Sequence, residues 1–83
     1  MADNIDRRVR ATISRIVGVD YVTAEQHLRD DVGAKGLDRI DIALTLEGEY
    51  DIEISEASAC SWQTVTDVIR SVERRLEQRR AAA

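Results

Sequence analysis

The chain has 83 residues, 43% hydrophobic and 34% charged, with a formal net charge of −4, no Pro, no Phe and a single Cys. That balance predicts one small folded domain over residues 1–83 rather than a disordered chain, and a lone cysteine excludes an internal disulfide. No apolar run reaches the roughly 18–20 residues of a membrane span, no apolar signal core follows the N-terminus and no Cys/His cluster has metal-ligand spacing, so a cytoplasmic protein without metal or membrane association is expected.

The first helix is predicted from Ile5, Val9, Ile13, Ile16 and Val17, which recur at helical spacing behind Asp3 and Asn4 as candidate N-caps, with Gly18 as the stop. Residues 18–35 lose that period and read as a long connection. Its isolated Val19, Val22, Leu28 and Val32 are expected to plug the core, and Thr23 and Gln26 have the spacing of a short capped turn.

A second helix is predicted over residues 37–50. On a wheel of roughly 100° per residue, Leu37, Ile40, Ala43, Leu44, Leu46 and Tyr50 form its apolar face, opposite Asp38, Asp41, Thr45, Gly48 and Glu49. Gly48 inside this run costs about 1 kcal/mol relative to Ala and predicts a loose or bent last turn. Ile52 and Ile54 alternate with acids, as in a strand, but are read as anchors of the exit loop. Residues 56–61 predict a short third helix with Ala57 and Cys60 inward and Trp62 at the edge of the core. Thr64 and Asp67 have capping-box spacing, and Val65, Val68, Ile69, Val72 and Leu76 define a fourth helix; residues 77–83 read as a frayed tail. The expected architecture is all-α, a small monomeric four-helix bundle with three longer helices and one short one.

Charge is segregated along the chain. Residues 20–67 carry twelve carboxylates against only Arg29, Lys35 and Arg39, while arginines crowd both ends. An acidic centre repels nucleic acid and anionic membranes and steers toward basic protein surfaces. The terminal arginines alternate with acids and lack aromatic neighbours, so no nucleic-acid role is read. By base rate the carboxylates of the second helix are only a solvated face. No nucleophile and base pair defines an enzyme. His27 reads as an exposed polar residue and Cys60 as a small buried one.

One run is more specific. Asp30, Asp31, Val32, Gly33, Ala34, Lys35, Gly36, Leu37 and Asp38, then Leu46, Glu47, Gly48, Glu49, Tyr50, Asp51, Ile52, Glu53 and Ile54, resemble the acyl carrier protein family. That family reads approximately as an acidic pair, Leu-Gly-Ala-Asp-Ser-Leu-Asp, an apolar helix, then Leu-Glu-Glu-Glu-Phe-Asp-Ile-Glu-Ile. The resemblance implies a carrier of fatty acid, polyketide or related thioester-based biosynthesis. Its Ser would hold 4'-phosphopantetheine at the start of the second helix, where a helix N-terminus favours a phosphodiester anion.

Gly36 stands in the place of that Ser, so no prosthetic group is expected as written, and 4'-phosphopantetheine only if a serine is restored. A hydroxyl naturally absent and one removed by substitution both fit this. Lys35 and Gly48 also depart from the family pattern. The resemblance further implies docking through Lys35, Leu37, Asp38, Asp41, Glu47 and Glu49 to basic surfaces of acyl-transfer, synthase or ligase enzymes and of a phosphopantetheinyl transferase. It implies an acyl shelter between the second and third helices lined by Leu46, Ile54, Ala59, Cys60 and Trp62. The alternative is an interaction or regulatory module that keeps the carrier fold without the prosthetic group.

Overall fold

The computed structural model describes residues 2–82. Four α-helices follow one another: α1 (Ala2–Val17), α2 (Gly36–Tyr50), α3 (Glu56–Ser61) and α4 (Val65–Ala82). α1 packs against α2 and α4, and α3 packs against α2. The α1 stripe buries Val9 and Ile13 completely, with Ile5, Ile16 and Val17 packed partly beside them. Helix α1 begins at Ala2, ahead of Asp3 and Asn4, so neither residue is its cap. Gly18 closes it with φ 83°, a left-handed conformation that glycine adopts without a Cβ clash, and its N–H reaches the Ser14 carbonyl at 2.9 Å.

The long connection is tied down by more than its apolar plugs. Gln26 Oε1 accepts from the Thr23 N–H at 2.9 Å, which closes the expected short turn. A single wide helical turn, Leu28–Val32, follows, which the aperiodic sequence of residues 18–35 does not predict. His27 is its N-cap, with Nδ1 accepting from the Arg29 and Asp30 N–H groups at 3.3 Å each. The connection also bonds to the start of α4. Leu28 N–H donates to the Gln63 carbonyl at 2.8 Å, Val65 N–H to Gln26 at 3.0 Å and Thr66 N–H to Ala24 at 2.9 Å.

Helix α2 is rotated relative to the wheel expectation. Ile42, Ala43 and Leu46 are its buried residues, whereas Leu37 is 78% and Leu44 60% exposed. Ile42, absent from the predicted face, is fully buried, and Leu37 and Leu44, assigned to that face, look outward. The helix runs through Gly48 to Tyr50 with no interruption. Asp51, at φ 55°, then ends it, its N–H bonded to the Glu47 carbonyl; Asp is among the few side chains that tolerate this region.

Ile52 and Ile54 are buried, and Ser55 caps α3 by accepting from the Ser58 N–H at 3.0 Å. In α3 the inward residue is Ala59, with Ser58 half-buried; Ala57 and Cys60, predicted inward, are exposed, since burying the face that carries Ala59 turns them outward. Trp62 is only 2% exposed and sits in the core, its Nε1–H donating to Ser71 Oγ at 2.7 Å.

A capping box starts α4. Asp67 Oδ2 accepts from the N–H groups of Thr64 at 3.0 Å and Gln63 at 2.9 Å, while Thr64 Oγ1 accepts from the Asp67 N–H at 3.2 Å. Val65, Val68, Ile69 and Val72 are buried below it. Residues 77–82, expected to fray, continue α4; position 83 lies outside the described residues.

Two measurements check this packing. Leu46→Ala is expected to cost about 2–5 kcal/mol and Leu44→Ala within about 0.5 kcal/mol. Equal losses on urea unfolding would contradict the rotation of α2. The hydrogen bonds from Thr64 and then Gln63 hold the Asp67 carboxyl below its ordinary pKa, against the opposing effect of burial. A depressed folded pKa stabilises the fold above the unfolded value near ~3.9, and that contribution disappears as pH falls through the folded value. Asp67→Asn is therefore expected to cost about 1 kcal/mol at neutral pH and to flatten the acid limb of the stability profile, with unfolding followed from neutral pH into acid.

Candidate functional site

The mouth of α2 is built by the connection before it. Buried Leu28 and Val32 hold the wide turn on the core, and Gly33 closes it in the left-handed region at φ 83°, where an L side chain would be strained. The Gly33 and Ala34 N–H groups both reach the Leu28 carbonyl, the latter at 2.8 Å, and Ala34 is buried. The backbone then turns outward. Lys35 is extended at φ −92° and ψ 177°, and Gly36 is the first residue of α2 and exposed.

Asp38 Oδ2 accepts the Lys35 N–H at 2.9 Å, which supplies one half of a capping box. A Lys side chain has no acceptor with which to supply the other half. A Cβ built on Gly36 meets nothing within 4 Å, and its φ is not in the left-handed region. The backbone there would accept a serine without strain.

Beside Gly36 lies a cavity of about 690 Å³ whose walls include Arg29, Lys35, Arg39 and Cys60. Cys60, expected under α3 and in the acyl shelter, therefore faces the opposite side, toward Gly36. Among the described residues no hydroxyl or carboxylate lines this cavity. Serine hydroxyls elsewhere in the fold are engaged: Ser14 donates to the Val19 carbonyl, Ser61 to the Ser58 carbonyl at 2.7 Å, and Ser71 accepts from Trp62. Attachment of 4'-phosphopantetheine as a phosphodiester needs a side-chain hydroxyl at the helix mouth, so the residues present there do not fit that covalent group.

The predicted docking carboxylates divide sharply. Glu49 pairs with Arg8 of α1, Oε1 lying 2.6 Å from Nη2, and its Oε2 accepts from Thr12 Oγ1 at 3.4 Å. Arg8 also lies 5.0 Å from the centre of the Tyr50 ring, where burial pushes the tyrosine pKa up against the lowering effect of that cation. Glu47 Oε2 accepts from the Ile54 N–H at 2.8 Å, fastening the exit loop to α2. Asp38 caps its own helix. Asp41 alone of the four is exposed with no hydrogen bond or ion pair among the described residues, and the outward Leu37 and Leu44 share its side of α2.

The expected acyl shelter is also redistributed. Ile54 and Ala59 line a cleft between α2 and α3 together with Ile40, Ala43 and Leu44. Leu46 and Trp62 are instead committed to the core. The cleft holds about 190 Å³, smaller than the roughly 300–1,000 Å³ of preformed ligand pockets. Among the described residues no group of three or more His, Cys, Asp or Glu could hold a metal ion. No described helix is long and apolar enough to cross a membrane.

The bundle, with a solvent-facing α2 mouth delivered by a plugged loop, defines a carrier-type fold. A protein assigned as an acyl carrier protein in Mycobacterium tuberculosis is 40% identical, over 83% of this chain and 95% of its own, with a TM-score of 0.78. The chain belongs to the acyl carrier protein family. Fold similarity extends to an acyl carrier protein of Thermotoga maritima, 22% identical over 93% of this chain and 92% of that one, with a TM-score of 0.79. It extends also to the apo doublet acyl carrier protein from prodigiosin biosynthesis, 17% identical over 88% of this chain and 36% of that one, with a TM-score of 0.75. No protein-family model matches the chain.

Because the space around Gly36 is open, Gly36→Ser is expected to leave stability unchanged within about 0.5 kcal/mol. A large loss on urea unfolding would show that a side chain is not tolerated at the mouth of α2.

Proposed function

We propose that this chain is a carrier-type protein of fatty acid, polyketide or related thioester biosynthesis that is non-loading as it stands. Gly36 marks the attachment position with its hydroxyl missing. The observation that carries this reading is the juxtaposition at position 36: an exposed first residue of α2, open space for a side chain, and, among the described residues, no alternative hydroxyl in the adjoining cavity.

The chain then acts by docking and not by catalysis. Its partners are basic surfaces of acyl-transfer, synthase or ligase enzymes. Leu37, Asp41 and Leu44 form the centre of the docking face, because apolar side chains held in water around one unpaired carboxylate suit a surface with a cation beside an apolar pocket. Asp38, Glu47 and Glu49 contribute mainly by holding α2, its cap and its exit loop in place. Lys35 makes the mouth of the helix mixed in charge instead of acidic.

The test is incubation with a phosphopantetheinyl transferase and coenzyme A, followed by intact mass. The chain as written is expected to gain no mass, and Gly36→Ser to gain one phosphopantetheine. An arm on the Gly form would overturn the site assignment. A Ser variant that stays unmodified across several transferases would favour a prosthetic-group-free interaction module.

A further inference from the structure

We propose that the cavity beside Gly36 binds a phosphorylated small molecule without a covalent bond, gripped by Arg29, Lys35 and Arg39. Residues 20–67 contain only these three basic residues among twelve carboxylates, and the fold brings all three to one cavity that no described carboxylate lines. Three like charges around one space repel each other, and a multivalent anion between them relieves the repulsion. Guanidinium forks suit phosphate oxygens in particular.

The cations are available. The side chains of Arg29 and Lys35 are exposed and make no hydrogen bond or ion pair among the described residues. Arg39 donates through Nη1 to the Trp62 carbonyl, which orients its guanidinium, and has no other side-chain partner among the described residues. The nearby acids Asp30, Asp31 and Asp38 oppose an anion, but Asp38 Oδ2 is engaged by the Lys35 N–H and Asp31 Oδ2 by the His27 N–H, and Asp30 Oδ2 lies 3.8 Å from His27 Nδ1. At about 690 Å³ the space falls within the roughly 300–1,000 Å³ of small-molecule sites. With Ala34 and Cys60 as less polar wall, it fits a phosphate ester with an organic body better than a bare ion.

This inference rests on the charge and shape of the cavity and not on the carrier reading. Its test uses the full chain with Gly36 unchanged, whereas the transferase assay uses Gly36→Ser, so either can fail alone. ADP and inorganic pyrophosphate are titrated at constant ionic strength, followed by backbone amide NMR and by the rate of Cys60 alkylation. Saturable shifts centred on Gly33, Lys35, Gly36 and Arg39 are expected, with ADP binding more tightly than pyrophosphate and slowing alkylation.

The double variant Arg29→Gln/Lys35→Gln, at two exposed positions, is expected to bind ADP roughly tenfold more weakly with unchanged circular dichroism. The double variant Arg7→Gln/Arg15→Gln on α1 should bind as the parent does. Equal affinity for the two ligands would overturn the organic body. Shifts spread over the arginines of α1 and α4, or undiminished binding by the Arg29→Gln/Lys35→Gln variant, would overturn the site.

Discussion

The burial of Leu28, Val32 and Ala34 around the left-handed Gly33 is the constraint on which the rest of the molecule depends. These apolar side chains hold the connection on the core through Ala34, and the chain turns outward after it. Lys35 and Gly36 therefore emerge at the surface, and α2 starts with its first residue in solvent. Backbone bonds from Ala24, Gln26 and Leu28 to the chain around the start of α4 hold the same loop from its other side. A long irregular segment is thereby made a rigid support for the helix mouth.

One arginine from each end is used in the same packing. Arg8 reaches from α1 to Glu49, and Arg79 from α4 to Asp51, whose carboxylate lies 3.0 Å away. Charge separated along the chain is paired across helices, so the C-terminal end of α2 is neutralised while its outer middle is not. Exposed pairs of this kind contribute little to stability. They engage Glu49 and Asp51 and leave Asp41 between outward leucines.

The α2 mouth and the outer face of α2 have opposite character. One is a cation-walled cavity beside a residue that cannot form a phosphodiester; the other is an apolar stripe around Asp41, unpaired among the described residues. A glycine at the first position of α2 leaves the helix start intact, because the Asp38 carboxylate accepts the Lys35 N–H from within the helix.

What the sequence determined by itself was local. Periodicity placed α1 and α4, Thr64 with Asp67 stand where a cap is needed, and the long run from Asp30 to Ile54 pointed to the family and to a glycine at the helix mouth. Such features depend on neighbours within a few residues, which a chain displays directly. Tertiary structure alone decided the rotation of α2 that buries Ile42 and exposes Leu37 and Leu44, and the outward turn of Cys60. It alone decided the capping role of His27, the engagement of Glu47 and Glu49, and the meeting of Arg29, Lys35 and Arg39. A helix with apolar residues on several sides can bury more than one stripe. Which stripe goes inward, and which charges meet, depends on partners far apart in the chain.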